Sequence, residues 1–197
     1  VYRGEQLVNY CPNCGTSFSE LEINYVERDD LMYYLDYGVV TIATTRPETI
    51  FADVAVAVNP QDNRYKNIVD KKATIPLINR QIPIITDSAV DKKVGTGALK
   101  VTPAHDMTDF EIGKKHNLPI VSVIDNEGKM INTPPEYIGM RAAKAREAVV
   151  SKLKKQGLLI KETPIRHSVA TCYKCKNTIE PMISKQWFIK VKPLTKN

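Results

Sequence analysis

Four cysteines stand in two pairs, Cys11-Pro-Asn-Cys14 and Cys172-Tyr-Lys-Cys175, towards opposite ends of a 197-residue chain. Two C-x-x-C knuckles read as one four-thiolate zinc site in a reducing compartment, because a short turn sets two sulfurs at the spacing a tetrahedral ion takes. If they share one ion, the two ends of the chain must meet. The segment between them then becomes an inserted domain on a two-strand stalk. The expected role of the zinc is structural, since no histidine or water-bearing position is implied. Four free thiols, or two disulfides, are the alternative.

The rest of the composition permits this plan. With 43% hydrophobic and 25% charged residues, the chain has the balance of a globular protein that buries a real core. No apolar run approaches the roughly 18 residues that span a bilayer, so no membrane partner is expected. The opening "VYRGEQL", without a methionine, reads as the start of a segment of a longer protein. Lysine and arginine outnumber aspartate and glutamate by 28 to 22, a formal charge of +6 that allows a nucleic-acid partner without requiring one. The dense basic clusters, "GKKH" (113–116) and "KLKKQ" (152–156), fall at expected helix ends, where cations complement the dipole without any ligand.

The pattern of the chain is mostly short strands. "LEINYVERDDLMYYLDYG" has alternating, aromatic-rich strand character, and "VVTIATT" (39–45) is a β-branched run stopped by Arg46-Pro47. "VAVAVNP" (54–60), two short pieces about Asn79-Arg80 within 73–87, "GTGALKVTP" (95–103) and "LPIVSVID" (118–125) are further expected strands. A short helix is expected to begin near Asp106. A long one fits 141–157, where Ala142, Ala145, Val149 and Leu153 recur at helical spacing and Gly157 suits a left-handed cap. The fold class expected is α+β, mainly β: a curled sheet or β-barrel core decorated by a few helices. The organisation expected is an N-terminal stalk (1–36), a core (37–164) and a C-terminal stalk (165–197), the stalks carrying the knuckles.

"GALKVTPAHDMTDFEIGKKH" (97–116) places Lys100, His105, Asp106 and Asp109 within ten positions. A metal site at His105-Asp106-x-x-Asp109 lacks a second ligand cluster elsewhere, and Lys100 would oppose a cation. A helix N-terminus explains part of it, with Asp106 as N-cap and Asp109 as its third-position partner. It leaves Lys100 and Thr102 on the preceding strand unexplained. No Gly-x-Ser-x-Gly elbow surrounds Ser88, Ser122 or Ser168, so hydrolysis here would use positioned water and a polarised substrate. "TTRPET" (44–49) adds hydroxyls and an arginine where a strand breaks, suited to a carbonyl, ribose or phosphate oxygen.

Together "ATTRPETIFADVAVAVNP", "VGTGALKVTPAHDMTDFEIGKKHNLP" and "PMISKQWF" resemble the connective-peptide editing domain of class I aminoacyl-tRNA synthetases over essentially the whole chain. Arg46-Pro47-Glu48, Lys100 and the lead-in "VYRGEQLVNY" resemble the valyl branch. The resemblance implies hydrolysis of the ester of threonyl-tRNA(Val), with the tRNA 3′-terminal aminoacyl-adenosine and the rest of the synthetase chain as partners. It implies a cytoplasmic setting, with ATP and magnesium serving only the full-length enzyme. In this pattern Asp109 holds the substrate α-ammonium, and Lys100, Thr102 and Asp106 line the pocket near the threonine hydroxyl and the terminal adenosine. Arg46 and His105 are further substrate contacts, Thr44, Thr45 and Glu48 frame the ester and ribose, and Val94 stands on the adenine side, where the family often has a larger apolar residue. A leucyl-type editing domain and a non-catalytic zinc-ribbon RNA-binding module are the rival readings.

Overall fold

The computed structural model describes residues 1–189, so the last part of the expected C-terminal stalk, 190–197, lies outside the described residues. Strand β1 (Tyr2–Cys11) runs into the first knuckle, and β2 (Thr16–Phe18) returns from it. The long β3 (Ile23–Asp36) is followed by β4 (Thr41–Thr44), a 3-10 turn (Pro47–Ala52) and β5 (Ala55–Val58). Then come β6 (Lys72–Ile75), β7 (Arg80–Thr86) and β8 (Ala98–Val101). Helix α1 (Met107–Lys115) and helix α2 (Ala142–Lys155) precede the long β9 (Leu159–Cys172) and β10 (Glu180–Phe188).

Among the described residues three sheets result, with strand orders β10-β1-β2, β4-β3-β9 and β6-β7-β5-β8. The first brings together the strands next to both ends of the described chain, Tyr2 opposite Phe188 and Tyr10 opposite Glu180. The second is a ribbon in which β3 and β9 pair from Ile23↔Cys172 to Leu35↔Leu159, with a bulge at the core end. This is the two-strand stalk expected from the knuckle spacing. The third is the core sheet, where β5 lies parallel to β7 and antiparallel to β8.

β5 shows how the core is layered. Its residues alternate, Val56 and Val58 entering the main cluster with Leu35, Tyr37, Ile42, Ile84 and Leu153, while Ala55 and Ala57 enter a second with Val101 and Ile112. All four are buried, as a central strand covered on both faces requires. Each fully buried valine, leucine or isoleucine contributes about 1.5–3 kcal/mol of burial. Helix α2 presents Ala145, Val149 and Leu153 to this core, as its spacing predicts, and Gly157 has φ +69° just past its end.

Two expectations need adjustment. Among the described residues no sheet closes into a barrel, so the curled-sheet form is the one adopted. β4 and β8 approach one another but are not hydrogen-bonded neighbours, and the core stays open at that seam. "LPIVSVID" is not a strand: it makes only an isolated bridge, Ile124 to Met130. Its backbone bonds otherwise, the Val123 amide donating to His105 Nε2 and its carbonyl accepting from Ile131. The basic clusters behave as helix ends. Lys115 and His116 both meet the buried Asp87 carboxylate, at 2.9 and 2.8 Å, and Lys154 pairs with Glu162.

Candidate functional site

The open seam between β4 and β8 holds a polar cavity of about 130 Å³. Ala43 and Thr44 of β4, Thr45 and Arg46 beyond it, Leu99 and Lys100 of β8, and Thr49, Thr102, His105, Asp106 and Asp109 line it. Eight of the ten residues expected from the sequence to act or bind therefore converge. The other two do not line it. Val94 is 62% exposed and borders an adjoining apolar cavity with Ala43 and Leu99. Glu48 is completely buried, with its oxygens taken by Arg46 and Arg146.

One wall has all its donor protons paired. The Lys100 ammonium donates to Thr49 Oγ1 (2.9 Å), Thr102 Oγ1 (2.6 Å) and Asp53 Oδ1 (3.2 Å). The Thr102 hydroxyl donates to the same Asp53 oxygen at 2.7 Å, and the Tyr37 hydroxyl donates to the other at 2.6 Å. Thr49 donates to the Arg46 carbonyl. Burial pushes the Asp53 carboxyl up, an effect that Lys100, Tyr37 and Thr102 only partly offset. Neither Thr49 nor Asp53 emerged from the sequence. Thr49 sits in the 3-10 turn, where nothing in "TTRPET" singles it out. The available signal for Asp53 was one carboxylate inside the apolar run "IFADVAVAV".

The opposite wall is the N-terminus of α1. Asp106 caps the helix by accepting from the Asp109 amide at 3.0 Å, as the capping reading requires. Asp109 does not reciprocate: its Oδ2 accepts from the Thr102 amide at 2.8 Å, tying the helix to β8. Its Oδ1 is buried with no hydrogen-bond partner. Burial, then repulsion from Asp106, raises the Asp109 carboxyl to about 7. A buried carboxylate oxygen without a donor is costly, so a cationic donor entering the cavity would be strongly held. His105 is kept neutral, its value lowered to about 3 by burial and then by Arg46 and Lys100. With Nε2 accepting from Val123, its proton belongs on Nδ1, which has no hydrogen-bond partner.

A larger cavity of about 390 Å³ adjoins the first, sharing Thr45, Arg46, His105 and Asp106 and reaching Arg146, His167 and Glu180. Arg46 spans both, held by Glu48 Oε1 (3.2 Å) and Glu180 Oε2 (2.7 Å). Burial alone would raise Glu48, but the guanidiniums of Arg46 and Arg146 more than offset it and hold it ionised.

At the far end of the ribbon the four sulfurs of Cys11, Cys14, Cys172 and Cys175 lie within 4.8 Å of one another. Cys11 and Cys175 approach to 3.4 Å, Cys14 and Cys172 to 3.8 Å. Thiolates at ~2.3 Å from a tetrahedral ion are ~3.8 Å apart, so this cluster fits a metal ion. The Cys14 amide points at the Cys11 sulfur and the Asn177 side chain at that of Cys175, donors that favour charged sulfur. Among the described residues no helix is long and apolar enough to cross a membrane.

Residues 61–154 match the family model described as the editing domain of leucyl-tRNA synthetase. The valine–tRNA ligase of Fusobacterium nucleatum is 48% identical over 200 residues, covering 98% of this chain and 22% of the relative. That of Carboxydothermus hydrogenoformans is also 48% identical, over 98% of this chain and 23% of its own length. For Aquifex aeolicus the identity is 49%, over 97% of this chain and 18% of the relative. The chain belongs to the editing domains of the aminoacyl-tRNA synthetases. Within them it falls in the valine–tRNA ligase family, and it spans about a fifth of the length of these curated relatives.

Proposed function

We propose that this domain hydrolyses the ester of threonyl-tRNA(Val), using a positioned water. The observation that carries the reading is the buried, unpartnered Asp109 oxygen in a small polar cavity. An α-ammonium supplies the missing donor, and its charge draws Asp109 into the ionised form. Thr49, Lys100 and Thr102 then meet the threonine hydroxyl, while Asp106 and His105 lie towards the shared mouth of the two cavities. Thr44, Thr45 and Arg46 frame the ester and ribose, with Glu48 acting through Arg46. Val94 stands on the adenine side. The need for such a site is chemical: an apolar pocket rejects an isostere with one added hydroxyl only weakly, about a hundredfold in the documented case of valyl-tRNA synthetases facing threonine. A pocket that bonds the hydroxyl reverses the selection, because valine leaves its polar groups unpaired.

The partners in this reading are the 3′-terminal aminoacyl-adenosine of tRNA and the rest of a synthetase chain, in the cytoplasm, where thiolates stay reduced. ATP and magnesium belong to the full-length enzyme. The cysteine cluster holds a structural zinc, and the chain divides into stalks 1–36 and 165–197 about a core 37–164, a division supported by the pairing of β3 with β9, although β9 already begins at Leu159. Elemental analysis of reduced protein is expected to find about one zinc per chain. Incubation with threonyl-tRNA(Val) is expected to release threonine. Release of norvaline or isoleucine from their tRNA esters instead would favour a leucyl-type substrate, the reading that the matching family model's description suggests. Binding of tRNA with no release would favour the RNA-binding module.

A further inference from the structure

Asp53 is completely buried and does not line the cavity, yet it is bonded to two groups that do. A hydroxyl has one proton and two lone pairs. Thr102 spends its proton on Asp53 and one lone pair on Lys100. Thr49 spends its proton on the Arg46 carbonyl and one lone pair on Lys100. The three Lys100 protons go to Thr49, Thr102 and Asp53. The Thr102 amide is given to Asp109. What Thr49, Lys100 and Thr102 have left for a ligand is lone pairs only, and an ionised Asp109 adds only lone pairs.

Taking the editing reading as its basis, we infer that Asp53 is a positioning residue that sets the hydrogen-bond polarity of the pocket. By holding the Thr102 proton and one Lys100 proton away from the cavity, it makes this wall a reader of donors. Threonine presents two kinds of donor, its ammonium and its hydroxyl; valine presents only the first. A group of hydroxyl size that accepts but cannot donate should therefore gain nothing from this wall. Tyr37 supports the arrangement from behind, since its proton occupies the second Asp53 oxygen.

The test compares three acyl groups on the same tRNA: threonyl, 2-amino-3-fluorobutyryl and 2-aminobutyryl. With the unaltered chain, threonyl is expected to be released about tenfold or more faster than the fluoro analogue, and the fluoro analogue to behave like the unsubstituted one. Asp53→Ala frees the Thr102 proton, so the threonyl-to-fluoro ratio should collapse to within about threefold. Asp53→Asn can turn its amide group to the Tyr37 oxygen and keep an acceptor for Thr102, so it should retain most of the ratio. A merely structural role would slow all three substrates alike and leave the ratio untouched. Should Asp53→Ala fail to fold, as thermal melting would reveal, the substrate series on the unaltered chain decides. Release of the fluoro analogue at the threonyl rate overturns the inference, as does a full ratio in folded Asp53→Ala. If threonyl-tRNA is not hydrolysed at all, the editing reading itself fails, and the inference with it.

Discussion

The two walls of the cavity are built on opposite terms. On the β8 side Lys100, Thr102 and Asp53 saturate one another, whereas on the α1 side Asp109 keeps a buried oxygen without a donor. The saturated wall lies where charge would otherwise stand unpaired inside the core. The unsaturated wall holds a carboxyl raised to about 7. On the proposed reading the difference separates a part that sustains the fold from a part held ready for a ligand, although both consist of the same residue types a few positions apart.

Mutations should split along that division. Lys100→Met leaves Asp53 as an uncompensated buried charge and is expected to cost about 3–5 kcal/mol of stability, read as a lowered denaturation midpoint. If the midpoint does not move, the saturated wall does not support the fold. Asp109→Ala is expected to leave the melting temperature near its original value while lowering hydrolysis of threonyl-tRNA by about 100–1,000-fold, the loss of one buried charge-assisted contact. Hydrolysis at the original rate would remove Asp109 from the site.

Acidity sharpens the same contrast. Because the folded Asp109 holds its proton up to about pH 7, its ionised fraction, and with it kcat/KM, should fall about tenfold per pH unit below 7. Asp109→Asn should lack this limb. The sign for stability is the opposite. A carboxyl raised from 3.8 binds its proton more tightly in the folded state, so the fold loses stability as pH rises from about 4 to about 7. Asp109→Asn should therefore be the more stable protein at pH 8, by about 4 kcal/mol, and the gap should narrow towards pH 4 in thermal melts. The smallest effect belongs to the region between the walls. Glu180→Gln loosens Arg46 on one side and is expected to change kcat/KM by about threefold to tenfold, with a stability change near 1 kcal/mol.

Legibility in the sequence followed the same line. The cap at Asp106, the end of β8 just before Pro103 and the face of α2 are local, so spacing revealed them. The meeting of the knuckles was legible because four thiolates have one common use. The family resemblance assembled eight residues of the cavity, but it missed Thr49 and Asp53, whose roles exist only once the 3-10 turn folds against β8. "LPIVSVID" misled because an apolar β-branched run does not disclose that its amides will bond to a histidine and a loop. Glu48, expected from "RPET" to frame the ester and ribose, is buried instead, and only the packing of α2 brings Arg146 to it.

The ribbon also sets an order of events. β3 and β9 pair residues separated by most of the chain, so every rung from Ile23↔Cys172 to Leu35↔Leu159 must wait for a long loop to close. The hairpins β3–β4 and β6–β7 join near neighbours and can form early. The ribbon then zips from the core outward, and the four sulfurs assemble last. If the cluster takes the structural ion proposed above, its capture would be the latch of folding rather than its seed: withholding the ion should then slow or loosen the final closure while leaving the core sheet and the pocket at its open seam to form first.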